Sequence, residues 1–167
     1  SSILKGAKEL FNHPSITISL EQIEQHGIEP EIAIQEFIKA IDDPNIILCS
    51  HNFEFDSGLL KHKLKSMNIP FPTNRFICTM KSCTNYCKLP KKGISSNYPG
   101  FKYPTLLELA TKLNITLDES KFHDALYDCM ITKDCIIKGN LIGIFKNYKL
   151  IITTNNSNID EVLFDYK

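Results

Sequence analysis

Apolar residues recur at three- and four-residue intervals in five parts of the chain, which is the spacing that lines one face of an α-helix. Capping boxes and prolines mark where several of these helices begin. The predicted helices run from Ser19 to about Gly27, from Pro30 to Ile41, through Leu59, Leu60, Leu64 and Met67, from the capping box Thr105–Glu108 to Leu113, and from about Ala125 to Ile137.

Two short apolar runs, Asn45–Ser50 and Phe76–Cys78, lie between these helices. Runs without polar alternation are typical of strands that are buried on both faces of a parallel sheet. Near the C-terminus, Tyr148–Thr154 and Ile159–Phe164 flank an Asn-rich turn and predict a hairpin. Strands that alternate with helices favour an α/β domain. We expect this domain to span residues 1–147, with 148–167 as a hairpin or strand extension packed on it.

Length and cysteine content narrow the class of protein. The chain has 167 residues, 43% of them hydrophobic, which is enough for one sizeable core. No apolar run approaches the ~20 residues of a membrane span. The six cysteines lack the paired spacing of zinc ribbons, and Cys49 and Cys129 lie within apolar runs, where a thiol acts as a small hydrophobe. We therefore expect reduced thiols and an intracellular, reducing compartment such as the cytoplasm, the nucleus or a viral factory.

The net charge is zero, but the charges are unevenly distributed. Between Ser57 and Leu107 there are nine basic residues and no acidic one, so this stretch carries +9 and the remainder −9. The basic residues are Lys61, Lys63, Lys65, Arg75, Lys81, Lys88, Lys91, Lys92 and Lys102, with Phe71, Phe76, Tyr86, Tyr98, Phe101 and Tyr103 among them. The pattern is typical of a phosphate-backbone binder with stacking faces for bases. A solvated surface that lacks acids is the alternative. Within this stretch, Cys83–Tyr103 predicts a long basic loop.

The first motif with potential chemistry is His51-Asn52-Phe53-Glu54-Phe55-Asp56, directly after a predicted strand and before a helix. Side chains just beyond the carboxyl ends of strands line the functional crevice of α/β sheets. Asp56 is therefore a candidate metal ligand. The alternative, that Asp56 only caps the following helix, is the commoner role of an aspartate in such a position.

The second motif is His123-Asp124-Ala125-Leu126-Tyr127-Asp128, at the start of the last long helix. On a continuous helix, His123 and Asp128 would lie about 140° apart. They converge better if His123 precedes the helix, Asp124 caps it and Asp128 lies in its first turn. The alternative is a surface histidine followed by an acid that the helix dipole favours.

Together, in this order, the two motifs resemble those of the DEDDh-type 3′→5′ exonucleases, whose second motif reads His-Asn-x-x-Phe-Asp and whose third reads His-x4-Asp. Cys78-Thr79-Met80 is similar to a family strand that ends in Thr, and Tyr103–Leu109 to the helix start before the third motif. The resemblance spans about His13 to Gly139. It implies a ribonuclease-H-like exonuclease fold, with a mixed sheet flanked by helices.

The resemblance also implies a chemistry, namely phosphodiester hydrolysis with two Mg²⁺ or Mn²⁺ ions. It makes Asp56 and Asp128 metal ligands and His123 the general base, whose ordinary pKa of ~6.5 suits neutral pH. Asn52 and Phe55 would lie beneath the terminal nucleotide. From the basic loop, we expect Lys88, Lys91 and Lys92 to contact the nucleic acid.

The family's first motif, Asp-x-Glu on an N-terminal strand, is absent ahead of His13. That strand provides two of the family's four metal carboxylates, and without it the predicted sheet would expose an apolar edge. Three explanations are open: the chain is part of a longer protein, the C-terminal segment Val162–Lys167 takes the place of the strand, or the domain has lost catalysis. Glu54 and Asp124 are nearby acids that we expect to face solvent.

We therefore predict a 3′→5′ exonuclease-type domain that acts on single-stranded DNA or RNA 3′ ends and is impaired by the missing motif. A catalytically inactive module that binds nucleic acid or protein on the same fold is the alternative. A partner chain or an N-terminal segment would complete the sheet. The sequence does not distinguish DNA from RNA.

Overall fold

Residues 19–93, 97, 99–121 and 124–148 are described by a computed structural model, which also gives the backbone of residues 151–154 and 162–165. In chain order the elements are α1 (Leu20–His26), α2 (Pro30–Ala40), β1 (Leu48–Ser50), α3 (Phe53–Ser66), β2 (Phe76–Cys78), α4 (Thr79–Ser82), α5 (Thr84–Cys87), α6 (Leu106–Lys112), α7 (Ala125–Leu141), β3 (Ile151–Thr154) and β4 (Val162–Asp165). Each predicted helix is present, and the α/β fold class is confirmed.

Helix starts follow the capping chemistry in the sequence. Pro30 occupies the first turn of α2. Ahead of α6, Thr105 Oγ1 accepts a hydrogen bond from the Glu108 amide at 3.2 Å, and Glu108 Oε2 accepts one from the Thr105 amide at 2.8 Å. Asp124 Oδ1 accepts from the Tyr127 amide at 2.9 Å and so caps α7. These bonds satisfy first-turn amides that a helix cannot satisfy internally.

The strands β1 and β2 pair in parallel, with Leu48 opposite Phe76 and Ser50 opposite Cys78. Among the described strands, β1 has β2 as its single neighbour. Its residues are half-buried, so the expectation of a strand buried on both faces is wrong for β1. The physical reason is the open edge, which no other described strand covers. For β2 the expectation fails at Phe76, which is 50% exposed, and holds for Ile77 and Cys78.

The main core lies on one face of this sheet. Ile77 of β2 packs there with Leu109 of α6 and with Cys135 of α7, all fully buried. Phe145, also fully buried, lies against Gly139, where an added Cβ would be 2.5 Å from the Phe145 ring. Since strand side chains alternate between faces, Phe76 and Cys78 point the other way, towards α3.

Three expectations about loop and core residues need correction. The predicted loop Cys83–Tyr103 begins later, since Cys83, between α4 and α5, and Cys87, at the end of α5, are both buried. Cys129 is exposed rather than part of the core, because it lies on the side of α7 that faces a cavity. Leu59, expected in the apolar stripe of α3, is 61% exposed. All six cysteines are free thiols, as predicted.

At the C-terminus, β3 and β4 form an antiparallel pair with Ile151 opposite Asp165. The predicted hairpin is therefore present, and β4 belongs to a different sheet from β1. The explanation that Val162–Lys167 replaces a strand beside β1 is wrong for the described strands. How the hairpin packs on the domain stays a prediction. None of the helices in the described part of the chain has the length and hydropathy of a membrane span.

Candidate active site

A cavity of about 530 Å³ opens beside the carboxyl end of β1, between the first turn of α3 and one side of α7. Two carboxylates line it, Asp56 from α3 and Asp128 from α7. The other lining residues are Cys49, Ser50, His51, Leu106, Ala125, Cys129, Thr132, Lys133 and Ile136. The structure thus brings together the aspartates of the two sequence motifs at the place where α/β domains hold their ligands. We call this space the acidic cavity.

Helix α7 forms one wall of the acidic cavity through residues at helical spacing. Ala125, Asp128, Thr132 and Ile136 recur at three- and four-residue steps, so their side chains share a face. Asp128 lies in the first turn of α7 and Asp124 caps it, as the sequence predicts. Ile136 is fully buried, so the wall is anchored in the core at one end and open at the other.

Asp56 lies in the first turn of α3, where its Oδ2 atom accepts a hydrogen bond from Ser50 Oγ at 2.7 Å. It is not the capping residue of α3, because Asn52 precedes the helix and makes no side-chain capping bond. The interpretation of Asp56 as a helix cap is therefore wrong. Its carboxylate is exposed to the cavity and is oriented by the end of β1.

Asp128 has an unusual environment for a carboxylate. Its Oδ1 atom is buried and has no hydrogen-bond partner within the described part of the chain. Leaving a buried acceptor unpaired costs ~1–3 kcal/mol, and more for a charged group. Such atoms call for a physical explanation, and a bound cation is one that suits a carboxylate oxygen in a cavity.

His51 fixes the end of β1 to two other segments. Its Nε2 atom is 3.0 Å from the Pro104 carbonyl oxygen, and its Nδ1 atom is 2.9 Å from Thr79 Oγ1. A carbonyl can only accept, so Nε2 carries the proton. Thr79 Oγ1 also lies 3.3 Å from the Ser50 carbonyl oxygen, so its hydroxyl is within hydrogen-bonding distance of both His51 Nδ1 and the end of β1. Burial lowers the pKa of His51, against the opposing effects of the Pro104 bond and of the charges on Asp128 and Asp56. His51 is therefore neutral at neutral pH.

The remaining predicted site residues are not part of this cavity's lining. His123 lies outside the described residues, so its role as general base stays a prediction. Asn52 has a left-handed backbone with φ of 74°, and Phe55 is 64% exposed. Their contact with a nucleotide stays a prediction too. Glu54 and Asp124 are exposed, as expected.

The basic stretch is partly neutralised by acids from outside it. Lys63 pairs with Glu31, Lys81 with Glu54 and Lys102 with Glu108. Each acid lies just beyond the limits of the stretch in sequence or on another helix, which the local count of charges could not show. In the predicted loop, Lys91 Nζ donates to the Pro99 carbonyl at 2.8 Å, and Lys88 has a left-handed backbone. Contact of Lys88, Lys91 and Lys92 with nucleic acid stays a prediction.

Sequence reasoning missed four polar residues of the acidic cavity, namely Ser50, His51, Thr132 and Lys133. Ser50 is the last residue of β1 and His51 follows it, and their position at the end of an apolar run was the available signal. Lys133 was not visible as a site residue, because it follows Asp128 by five positions and only the direction of α7 turns it towards the cavity. Within the described residues Lys133 makes no ion pair.

The donor set of the acidic cavity fits a divalent cation in part. Carboxylate oxygens are the ligands that Mg²⁺ and Mn²⁺ prefer, and Asp56 and Asp128 provide them. Among the described residues there is no group of three or more His, Cys, Asp or Glu side chains that could hold a metal. A complete site would need further oxygens from water, from substrate or from another segment.

Fold and site together define a class of protein, an α/β domain with acids gathered at the carboxyl edge of parallel strands. A family model for exonucleases, of the RNase T type, matches residues 15–135, more than half of the chain. The chain belongs to this exonuclease family, as the resemblance of its motifs predicted, and its fold is consistent with a ribonuclease-H-like domain. Exonuclease domains generally use divalent metal ions. No curated protein and no solved structure matches the chain.

Proposed function

We propose that this domain is a 3′→5′ exonuclease that removes nucleotides from single-stranded nucleic acid with the help of two Mg²⁺ or Mn²⁺ ions. One observation carries the proposal: Asp56 and Asp128, far apart in sequence, line one cavity in which a buried oxygen of Asp128 lacks a partner. Membership of the exonuclease family supports the nuclease activity itself. The direction of cleavage and the ions are part of the proposal.

Asp56 and Asp128 would hold the ions, which when bound supply a Lewis acid and charge stabilisation for phosphoryl transfer. Ser50 keeps the Asp56 carboxylate aimed at the cavity through its hydroxyl. His123 would accept the proton of the attacking water. Neutral His51 holds β1 to the start of α6, so that the wall beside Asp56 stays fixed.

The substrate has to bring a phosphate next to two carboxylates, and Lys133 provides a compensating positive charge in the same cavity. We assign Lys133 to the phosphate of the terminal nucleotide, since an ammonium group binds phosphate as a point charge. Lys88, Lys91 and Lys92 would contact the strand further along, where affinity falls with rising salt. DNA and RNA are equally compatible with these contacts.

A further strand beside β1 would complete the site. The open edge of β1 presents unpaired backbone groups among the described strands. On α7, Leu126 and Met130 are exposed apolar residues next to the acidic cavity, which is typical of a surface that another segment covers. We propose that a partner chain or an N-terminal segment pairs with β1 and adds the missing oxygen ligands.

The buried thiols bear on the cellular compartment of the protein. Burial raises the pKa of Cys49, Cys83 and Cys135 to about 12, so these thiols are unreactive at neutral pH. Free cysteines that persist in a core are typical of a reducing compartment. We propose an intracellular location on this basis.

A labelled oligonucleotide tests the function. The full chain with Mn²⁺, assayed together with the segment or partner that completes the sheet, should shorten a 5′-labelled single strand from its 3′ end, and Asp128→Asn should abolish shortening. Asp134→Asn is the matched control, because Asp134 lies on the same helix but does not line the acidic cavity. Salt-sensitive binding without shortening, unchanged by Asp128→Asn, would contradict nuclease activity and favour the inactive binding module.

A further inference from the structure

A second cavity, of about 240 Å³, lies beside a different side of α3. It is lined by Phe53, Glu54, Ser57, Lys61, Phe71, Phe76, Cys78 and Lys81. On the α3 helix, Ser57 and Lys61 lie about 100° and 140° round the axis from Asp56, so α3 separates this space from the acidic cavity. We call it the aromatic pocket.

The aromatic pocket is built by the outward face of β2, the first three turns of α3 and Phe71 from the segment after α3. Phe53 stacks on Phe76 with ring centroids 4.1 Å apart and an interplanar angle of 8°. The Lys61 ammonium lies 5.0 Å from the centroid of the Phe71 ring, a cation–π distance. The pocket therefore has aromatic walls and a fixed positive charge.

Phe76 is the most informative of these residues. The next residue, Ile77, is fully buried, whereas Phe76, which lines the pocket, is 50% exposed although one face of its ring is covered by Phe53. Exposing so much of a large apolar ring forgoes hydrophobic stabilisation. A flat ligand that stacks on this ring would recover it.

The charges of the aromatic pocket favour an anionic ligand. Lys61 and Lys81 line it with one carboxylate, Glu54, which pairs with Lys81. One positive charge is left over, next to aromatic faces. A planar ring joined to a phosphate matches both features, and the volume is below the usual range of a drug-sized site, so it suits one base.

We propose that the aromatic pocket binds one nucleobase of the strand whose 3′ end lies in the acidic cavity, with a neighbouring phosphate on Lys61. The proposal rests on the proposed function for the identity of the ligand. Phe53 and Asp56 lie on the same turn of α3 and line the two cavities. A strand that leaves the acidic cavity around the start of α3 therefore reaches the aromatic pocket within a few nucleotides.

Binding of oligothymidylates of increasing length, measured by fluorescence anisotropy in EDTA, tests the proposal. With the full chain, Phe76→Ala should weaken binding of a twelve-nucleotide strand about tenfold, the scale of one lost base stack. It should leave a dinucleotide, which reaches only the acidic cavity, unaffected. Phe76→Trp should keep or tighten the longer strand's binding. Phe101→Ala, an aromatic residue of the basic stretch outside this pocket, is the control.

Lys61 gives an independent readout. Lys61→Gln should reduce the slope of log affinity against log salt by about one, as for the loss of one phosphate contact. Lys65→Gln, one turn further along α3 and outside the pocket, should not. Phe76→Leu keeps the apolar bulk and so protects the fold, and it should still weaken the twelve-nucleotide strand. Equal affinities of wild type and all Phe76 variants for that strand would overturn the pocket.

Different results would contradict the nuclease proposal and the aromatic-pocket proposal. If the wild type does not shorten strands with Mn²⁺ yet Phe76→Ala weakens the longer strand, the nuclease proposal fails and the aromatic pocket stands. If shortening proceeds and the Phe76 and Lys61 variants bind as the wild type does, the pocket is wrong and the nuclease proposal stands.

Discussion

The two cavities beside α3 differ in sign and in surface. The acidic cavity has Asp56, Asp128 and Lys133 around neutral His51, so it carries one net negative charge. The aromatic pocket has two lysines, one glutamate and three phenylalanines, so it carries one net positive charge. One helix thus separates a place suited to cations from a place suited to an anion with a ring. A chain with zero net charge can have two oppositely charged sites within one domain.

The largest expected effect comes from Asp128. Asp128→Asn should lower exonuclease activity by at least about a hundredfold, since even groups behind a metal ligand cost ~10–100-fold. It should also remove any rise in melting temperature that Mn²⁺ gives the wild type. In EDTA the variant should be more stable than the wild type, because no charged oxygen is left buried without a partner. Differential scanning fluorimetry with and without Mn²⁺ measures both. A full Mn²⁺ shift in the variant would contradict the assignment.

The second effect tests how the acidic cavity is anchored. Gly139→Ala places a Cβ 2.5 Å from the fully buried Phe145 ring. Overpacking of this kind costs ~1–3 kcal/mol of unfolding free energy, which urea denaturation measures. The overpacked residue lies on α7, which forms one wall of the acidic cavity. Exonuclease activity should therefore fall more than binding of the strand at the aromatic pocket. Gly58→Ala, where nothing lies within 4 Å of the new Cβ, is the control.

Substitution of Lys133 tests the difference in net charge between the two cavities. Lys133→Met removes the positive charge from the acidic cavity, so Mn²⁺ should bind several-fold more tightly and a nucleoside monophosphate more weakly. Lys133→Arg should restore phosphate binding. Isothermal titration of both ligands distinguishes these effects, and the aromatic pocket should bind its longer strand unchanged. If the affinities of Lys133→Met for Mn²⁺ and for the monophosphate both equal those of the wild type, Lys133 is not part of the site.

The smallest effect concerns pH. Burial lowers the pKa of His51 below its ordinary value of 6.5. The unfolded chain therefore takes up a proton at a higher pH than the folded chain, and stability falls as pH decreases below about 6.5. Urea unfolding of wild type and His51→Asn between pH 5 and 8 should show a smaller pH slope in the variant. Equal slopes would mean that His51 is not the group responsible.

Much of the fold could be predicted from the sequence, because helix caps and short apolar runs act locally. The capping box at Thr105, the proline at the start of α2 and the cap at Asp124 all formed as predicted. The buried extent of β1 and the start of the basic loop could not be predicted. Both depend on which other segments lie alongside, and no local pattern contains that information.

The same division holds for the sites. Sequence alone determined that Asp56 follows a strand and Asp128 begins a helix, and motif order pointed to an exonuclease. Only the tertiary structure decided that both acids line one cavity, that Lys133 joins them, and that Phe53, Phe71 and Phe76 surround a second cavity on another side of α3. The physical reason is that a helix distributes neighbouring residues around its axis, so residues close in sequence face different partners, and packing alone chooses those partners.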